Sequence, residues 1–204
     1  MKTLIALSKG EQTRQSILDA AYDLITKQGY AATSMRQIAE KAGLSLGSIY
    51  NHFASKADVF RAILVDRHPF LQMLPLLNSV EGSTVEEFVR NAAHTLVREL
   101  GRHPEFLNLL LTEIVEFRGG HVASVFKKIF PLVMPIVQRI QNLEGNLRVI
   151  PPVVLARAFL GMFFSYYITE ILIVRAMPPE LRQVNAIDHF VDIFLHGILV
   201  EEAA

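Results

Sequence analysis

The feature that most constrains this chain is the spacing of its apolar residues, which recur at three- and four-residue intervals almost from end to end. No run alternates apolar and polar residues between hairpin-type turns, as a half-buried strand would. The chain therefore reads as all-α. With 51% of its 204 residues apolar, it can build a sizeable core, and an intrinsically disordered chain is excluded.

Capping residues and glycines divide the helices. Ser8 with Glu11 precedes the stripe Ile17, Leu18, Ala21, Leu24 and Ile25, and Gly29 stands where a helix end needs positive φ, so a first helix is predicted near 11–28. Ser34 with Gln37 caps a short second helix carrying Met35, Ile38, Ala39 and Ala42 and stopped by Gly43. Ser45 caps a third near 46–52, and Ser55 with Asp58 opens a fourth that the His68-Pro69 step breaks or kinks. Beyond Pro69, Ser83 with Glu86 starts a helix running to Gly101, and Pro104 starts another ending near Gly119-Gly120. A third, from about 121 to 143, should kink at Pro131 and Pro135. Pro151-Pro152 begins an apolar helix to Arg175, and a last helix reaches about Val200.

Three short helices within 11–53, the second and third joined by a tight glycine-containing turn, have the layout of a helix-turn-helix. Ala39 is small enough for close helix approach, and Ile49 and Phe53, at i and i+4, can anchor the third helix against Leu24, Ile25 and Ile38. Its opposite face is then free for a DNA major groove. Formal charge agrees: the chain is neutral overall, but residues 1–68 carry nine Lys or Arg against six Asp or Glu, and residues 69–204 eleven against fourteen. The N-terminal third is the expected anion binder.

From Thr13 to Leu64 the chain resembles the TetR family of regulators. The matching elements are the step Gly29-Tyr30, then Ile38-Ala39, Ala42-Gly43-Leu44-Ser45, Gly47-Ser48-Ile49-Tyr50-Asn51-His52-Phe53 and Ser55-Lys56. The resemblance implies a helix-turn-helix DNA-binding domain over 1–56, a connector helix over 55–68, and a ligand-binding and dimerisation domain over 69–204. It implies phosphate contacts from Ser34, Arg36 and Lys56, and groove contacts from Gly47, Ser48, Tyr50 and His52. Leu46 departs from the Lys or other polar residue many relatives carry: an apolar side chain can meet a thymine methyl there, but one electrostatic contact is expected to be missing.

In 69–204, aromatic and Met residues on kinked helices suggest a cavity for a small apolar or amphipathic effector. The candidate lining is Met73, Phe88, Phe106, Phe130 and Met134, with Phe163 and Tyr167 from the apolar helix and Glu113 to orient the ligand. That apolar helix has more hydrophobic circumference than one packed face can cover. A homodimer is therefore expected through it and the last helix, with Phe159, Tyr166, Phe190, Phe194 and Ile198 at the interface.

The expected protein is thus a cytoplasmic, ligand-responsive repressor that binds a pseudo-palindromic double-stranded operator as a homodimer. The absence of Cys rules out disulfide frameworks and thiolate sites and suits a reducing compartment. His189, Asp192 and His196 share an arc of one helix, but no fourth ligand accompanies them, so no metal or cofactor is assigned. The alternative is an all-α enzyme with a DNA-reader-like N-terminus, for which no nucleophile elbow, phosphate loop or metalloprotease spacing is found. A third reading, a membrane-associated helical protein, would rest on 153–174, where Arg157 and Glu170 interrupt the apolar run. The first ten residues lack a cleavage-site pattern and are not read as a signal peptide.

Overall fold

The computed structural model describes residues 8–182 and 186–200, apart from the side chains of Arg175 and Leu181. Among them there are ten α-helices, two short 3-10 turns and no strand. The reading of the first ten residues falls almost wholly outside this range. The chain divides into two compact units: residues 1–68 with Glu105–Phe126, and Pro69–Pro104 with the remainder from Lys127.

In the first unit, α1 (Lys9–Gln28) opens on a complete capping box between Ser8 and Glu11 and ends at Gly29, φ 86°. Helix α2 (Met35–Lys41) carries the second box: the Gln37 amide nitrogen donates to Ser34 Oγ at 3.2 Å, and the Ser34 nitrogen donates to Gln37 Oε1 at 2.8 Å. Ser45 caps α3 (Leu46–Tyr50), and Ser55 caps α4 (Lys56–Asp66). Ile17, Leu18, Ala21, Ile25, Ile38, Ile49, Val59 and Phe60 bury their side chains together as the core. Ion pairs from Arg14 to Asp66 (2.9 Å) and from Arg67 to Asp19 tie α1 to α4 across its edge. Helix α7 (Glu105–Phe117) joins this unit, where Glu105 accepts a 2.8 Å hydrogen bond from Tyr22 Oη. Segment 105–126, expected with the C-terminal domain, thus packs with the N-terminal helices.

The second unit contains α5 (Phe70–Asn78), α6 (Val85–Arg102), most of α8 (Val122–Gln141), α9 (Pro152–Leu172) and α10 (Ala186–Ile198). Helix α5 lies where the sequence reading placed only the His68-Pro69 break and no helix before Ser83, and it runs on through Pro75. Pro69 sits at the helix start, where a missing N–H costs nothing, and three buried residues (Met73, Leu74 and Leu77) supply the stabilisation. The cap of α6 is one residue later than expected: Thr84 accepts from the Glu87 nitrogen, and Ser83 donates to the Glu87 carboxylate. Pro131 and Pro135 lie within the assigned span of α8, which is not split at either. Helix α9 ends at Leu172, and a 3-10 turn covers Val174–Ala176. Arg90 of α6 pairs with Asp188 (3.3 Å) and Asp192 (2.8 Å) of α10.

Candidate DNA-reading site and apolar cavity

The turn between α2 and α3 is built by backbone geometry. Gly43 adopts φ 69°, a left-handed conformation that favours glycine, and this lets the Leu44 nitrogen donate back to the Ala39 carbonyl at 2.9 Å. Ala39 is buried at this crossing. Ile49, fully buried, and Phe53, 6% exposed, fix α3 to the core, with the Arg14 guanidinium 5.5 Å from the Phe53 ring.

Anchoring one side of α3 turns the other outward. Leu46 and Tyr50 are 43% and 51% exposed, Gly47 is exposed, and Ser48 and His52 are half-buried beside them. Ser34 and Arg36 are exposed on α2, where Arg36 makes a 3.1 Å solvent-facing pair with Glu40. Lys56 is placed differently. Its ammonium donates to the carbonyls of Tyr30 (2.7 Å) and Thr33 (2.6 Å) and lies 4.1 Å from the Tyr30 ring centroid. Desolvation there lowers its pKa, partly offset by the charge of Glu116. Lys56 therefore ties the α1–α2 connector to α4, using two of its three N–H donors. Sequence spacing could not reveal this, since the acceptors are main-chain atoms more than twenty residues away.

The second unit holds an entirely apolar cavity of about 40 Å³ between α5, α6, α8, α9 and α10. Leu74, Phe88, Ala92, Val137, Ala156 and Phe159 are among its walls. Of the expected effector contacts only Phe88 lines it. Met73, Phe163 and Tyr167 are buried in the same unit without facing it, and Phe130 and Met134 are more exposed on α8. Phe106 and Glu113 belong to the first unit: Phe106 meets the His68 ring edge-on at 5.1 Å, and Glu113 pairs with His121.

The expected interface residues also separate. Phe194 and Ile198 are each 4% exposed and line the cavity, as does Phe159, which touches Phe163 and Phe194. Phe194 and Ile198 lie on the buried side of α10, facing the unit's own interior, and the half-buried Phe159 reaches the same cavity from α9. Tyr166 and Phe190 meet edge-on at 5.1 Å and stay half-buried. Helix α9 instead presents Val154, Ala158, Gly161 and Ser165 outward, with Leu172 67% exposed, and α10 adds Ile193 at 63%. By length and mean hydropathy (1.3) α9 could cross a membrane, a test that soluble core helices also pass.

Residues 17–63 match the family model described as bacterial regulatory proteins, tetR family. YvkB of Bacillus subtilis, an HTH-type transcriptional regulator, is 25% identical over 191 residues, covering 91% of this chain and 97% of that protein. SrpR of Pseudomonas putida, another HTH-type transcriptional regulator, is 43% identical over 63 residues, 30% of each chain. The solved structure of SmeT, the repressor of the Stenotrophomonas maltophilia multidrug efflux pump SmeDEF, superimposes with a TM-score of 0.63 at 24% identity, covering 95% of this chain and 94% of that one. These relatives are transcriptional regulators rather than enzymes.

Proposed function

The chain belongs to the tetR family of bacterial regulatory proteins and is a helix-turn-helix transcriptional regulator, and from that premise we propose that it is a cytoplasmic homodimeric repressor released from its operator by an apolar or amphipathic effector. The observation that carries this reading is the two-sided character of α3: Ile49 is sealed into the core while Leu46, Gly47 and Tyr50 face solvent on a helix short enough to enter a major groove. Arg36 and the remaining donor of Lys56 flank it as backbone contacts, while Ser48, Tyr50 and His52 are the base-reading candidates. Repression, rather than activation, is supported by SmeT, a repressor of known structure with the same fold.

Dimerisation is supported by the outward side of α9. Val154, Ala158, Gly161, Ser165 and Leu172 recur at alternating four- and three-residue steps with one gap, an apolar seam whose small residues allow close approach of a two-fold mate. Effector binding is supported by the cavity in the second unit, which is apolar throughout but holds little more than a methyl group or two, so an effector must widen it. Binding free energy then favours a rearranged bundle, and release follows only from the difference in effector affinity between the two arrangements.

The test is selection of binding sequences from random duplex DNA with the full-length chain. A pseudo-palindromic winner, half-sites about 10 base pairs or a multiple apart, is expected. Enrichment of no sequence, or of a site without dyad symmetry, contradicts the proposal.

A further inference from the structure

The turn between α7 and α8 is held by an interaction that the DNA-reading surface does not itself require. Glu113, 1% exposed, accepts two hydrogen bonds from one residue: the His121 backbone N–H donates to Oε1 at 2.7 Å, and the His121 ring Nδ1 lies 2.9 Å from Oε2. Between them the chain passes through Arg118 at φ 51° and Gly119 at φ 78°, two successive left-handed residues. A non-glycine residue in that region is strained, and it persists where its surroundings over-determine it. Backbone bonds from Gly119 to the Glu113 carbonyl and from Gly120 to the Phe117 carbonyl form the turn, and the buried carboxylate is the side chain that ties its far end, His121, back to α7.

What the closed turn presents is a ring stack. Phe117 lies 4.6 Å from the His121 ring and 4.9 Å from Phe60 of α4, nearly parallel to the latter at 9°. Tyr30, in the α1–α2 connector, meets Phe60 and Phe117 edge-on at 5.4 and 5.1 Å. The Tyr30 ring also carries the Lys56 ammonium, 4.1 Å from its centroid, and that ammonium donates to the Tyr30 and Thr33 carbonyls. Thr33 directly precedes Ser34, the cap of α2. A continuous set of contacts therefore runs from Glu113 to the residue that sets where the helix-turn-helix begins.

We propose that Glu113 and His121 are positioning residues for DNA binding: they clamp the α7–α8 turn so that Phe117 wedges Tyr30 and Phe60, and this fixes the helix-turn-helix against α4. The proposal rests on the DNA-binding reading and adds to it residues that touch no DNA. Opening the clamp weakens operator binding but leaves base preference alone, because α3 keeps its own anchors, Ile49 and Phe53.

The test measures binding of full-length variants to the selected operator by fluorescence anisotropy, at a temperature where circular dichroism shows each variant folded. Glu113→Ala is expected to bind about tenfold more weakly, in the range by which residues remote from a ligand modulate coupling. Glu113→Gln, which keeps an acceptor for the His121 N–H, is expected to recover to within about twofold of the unaltered protein. Phe117→Leu, which removes the stack but keeps apolar bulk, provides the same test should Glu113→Ala fail to fold. Combined with Lys56→Met, either lesion should cost less than the sum of the two singles, since both act through the connector. Clamp variants that melt earlier but bind with unchanged affinity, or whose losses add fully to that of Lys56→Met, overturn the proposal. If the unaltered protein selects no duplex, the DNA-binding reading falls and takes this one with it.

Discussion

His68 closes the connector between α4 and the Pro69 break, 8% exposed, with its ring edge-on to Phe106. Burial lowers its pKa from the ordinary 6.5 to about 4, so the folded chain holds this imidazole neutral. In the unfolded chain the same ring takes up a proton near its ordinary value. Between those two values the unfolded state binds more protons, so stability rises with pH across the window. The contribution is fully present above about 6.5 and is lost as pH falls towards about 4. At roughly 1.4 kcal/mol per unit the whole shift corresponds to about 3 kcal/mol, of which about 2 kcal/mol is gone by about pH 5. Carboxylates also titrate in this range, so the informative quantity is the difference from His68→Gln, which cannot take up that proton. Urea unfolding of both proteins at one fixed concentration, at about pH 7.5 and about pH 5, should show their stability difference shifting by about 2 kcal/mol towards the variant in acid. Equal acid sensitivity in the two proteins would refute the claim that burial of His68 drives the shift.

Three further outcomes follow from the same geometry. Arg36→Ala should weaken operator and non-operator binding alike and reduce the slope of log affinity against log salt by about one, whereas Tyr50→Ala should change sequence preference by about 1–3 kcal/mol; anisotropy titrations on matched duplexes separate them. Gly161→Leu, on the exposed seam of α9, should dissociate the dimer in light scattering without lowering helix content, because it adds bulk where close approach is needed and leaves the unit's interior untouched. Ala92→Val, placing two methyl groups into the cavity, should blunt effector-induced release while operator affinity stays within about twofold, a loss of cavity volume that a titration with hydrophobic compounds reads directly.

Much of this architecture was written in short-range chemistry. Ser34 with Gln37, Ser45, Gly29 and Gly43 mark helix ends by local hydrogen bonding and by positive φ, and each behaves in the structure as its residue type requires. The anchoring of α3 by Ile49 and Phe53 was legible for the same reason, as a four-residue spacing with only one side able to be buried. What was hidden depends on partners distant in sequence. Glu113 looked like a ligand-orienting charge within an apolar helix, but its partner is eight residues on, across a left-handed turn whose key residue, Arg118, carries no sequence signal for that conformation. Lys56 looked like a free cation, and main-chain carbonyls claim two of its donors. Phe194 and Ile198 belong to an apolar stripe that fits an interface or a core equally well, and only the packing of α6, α8 and α9 around them shows that they face inward.

The central claim, that α3 reads a specific duplex while basic side chains hold its backbone, is tested most directly by affinity for the selected operator and a scrambled duplex across a salt series. The account predicts a linear fall of log affinity with log salt for both duplexes, with similar slopes, and an operator preference of at least about a thousandfold. Equal affinity for the two duplexes at every salt concentration, or binding that does not respond to salt, would contradict it.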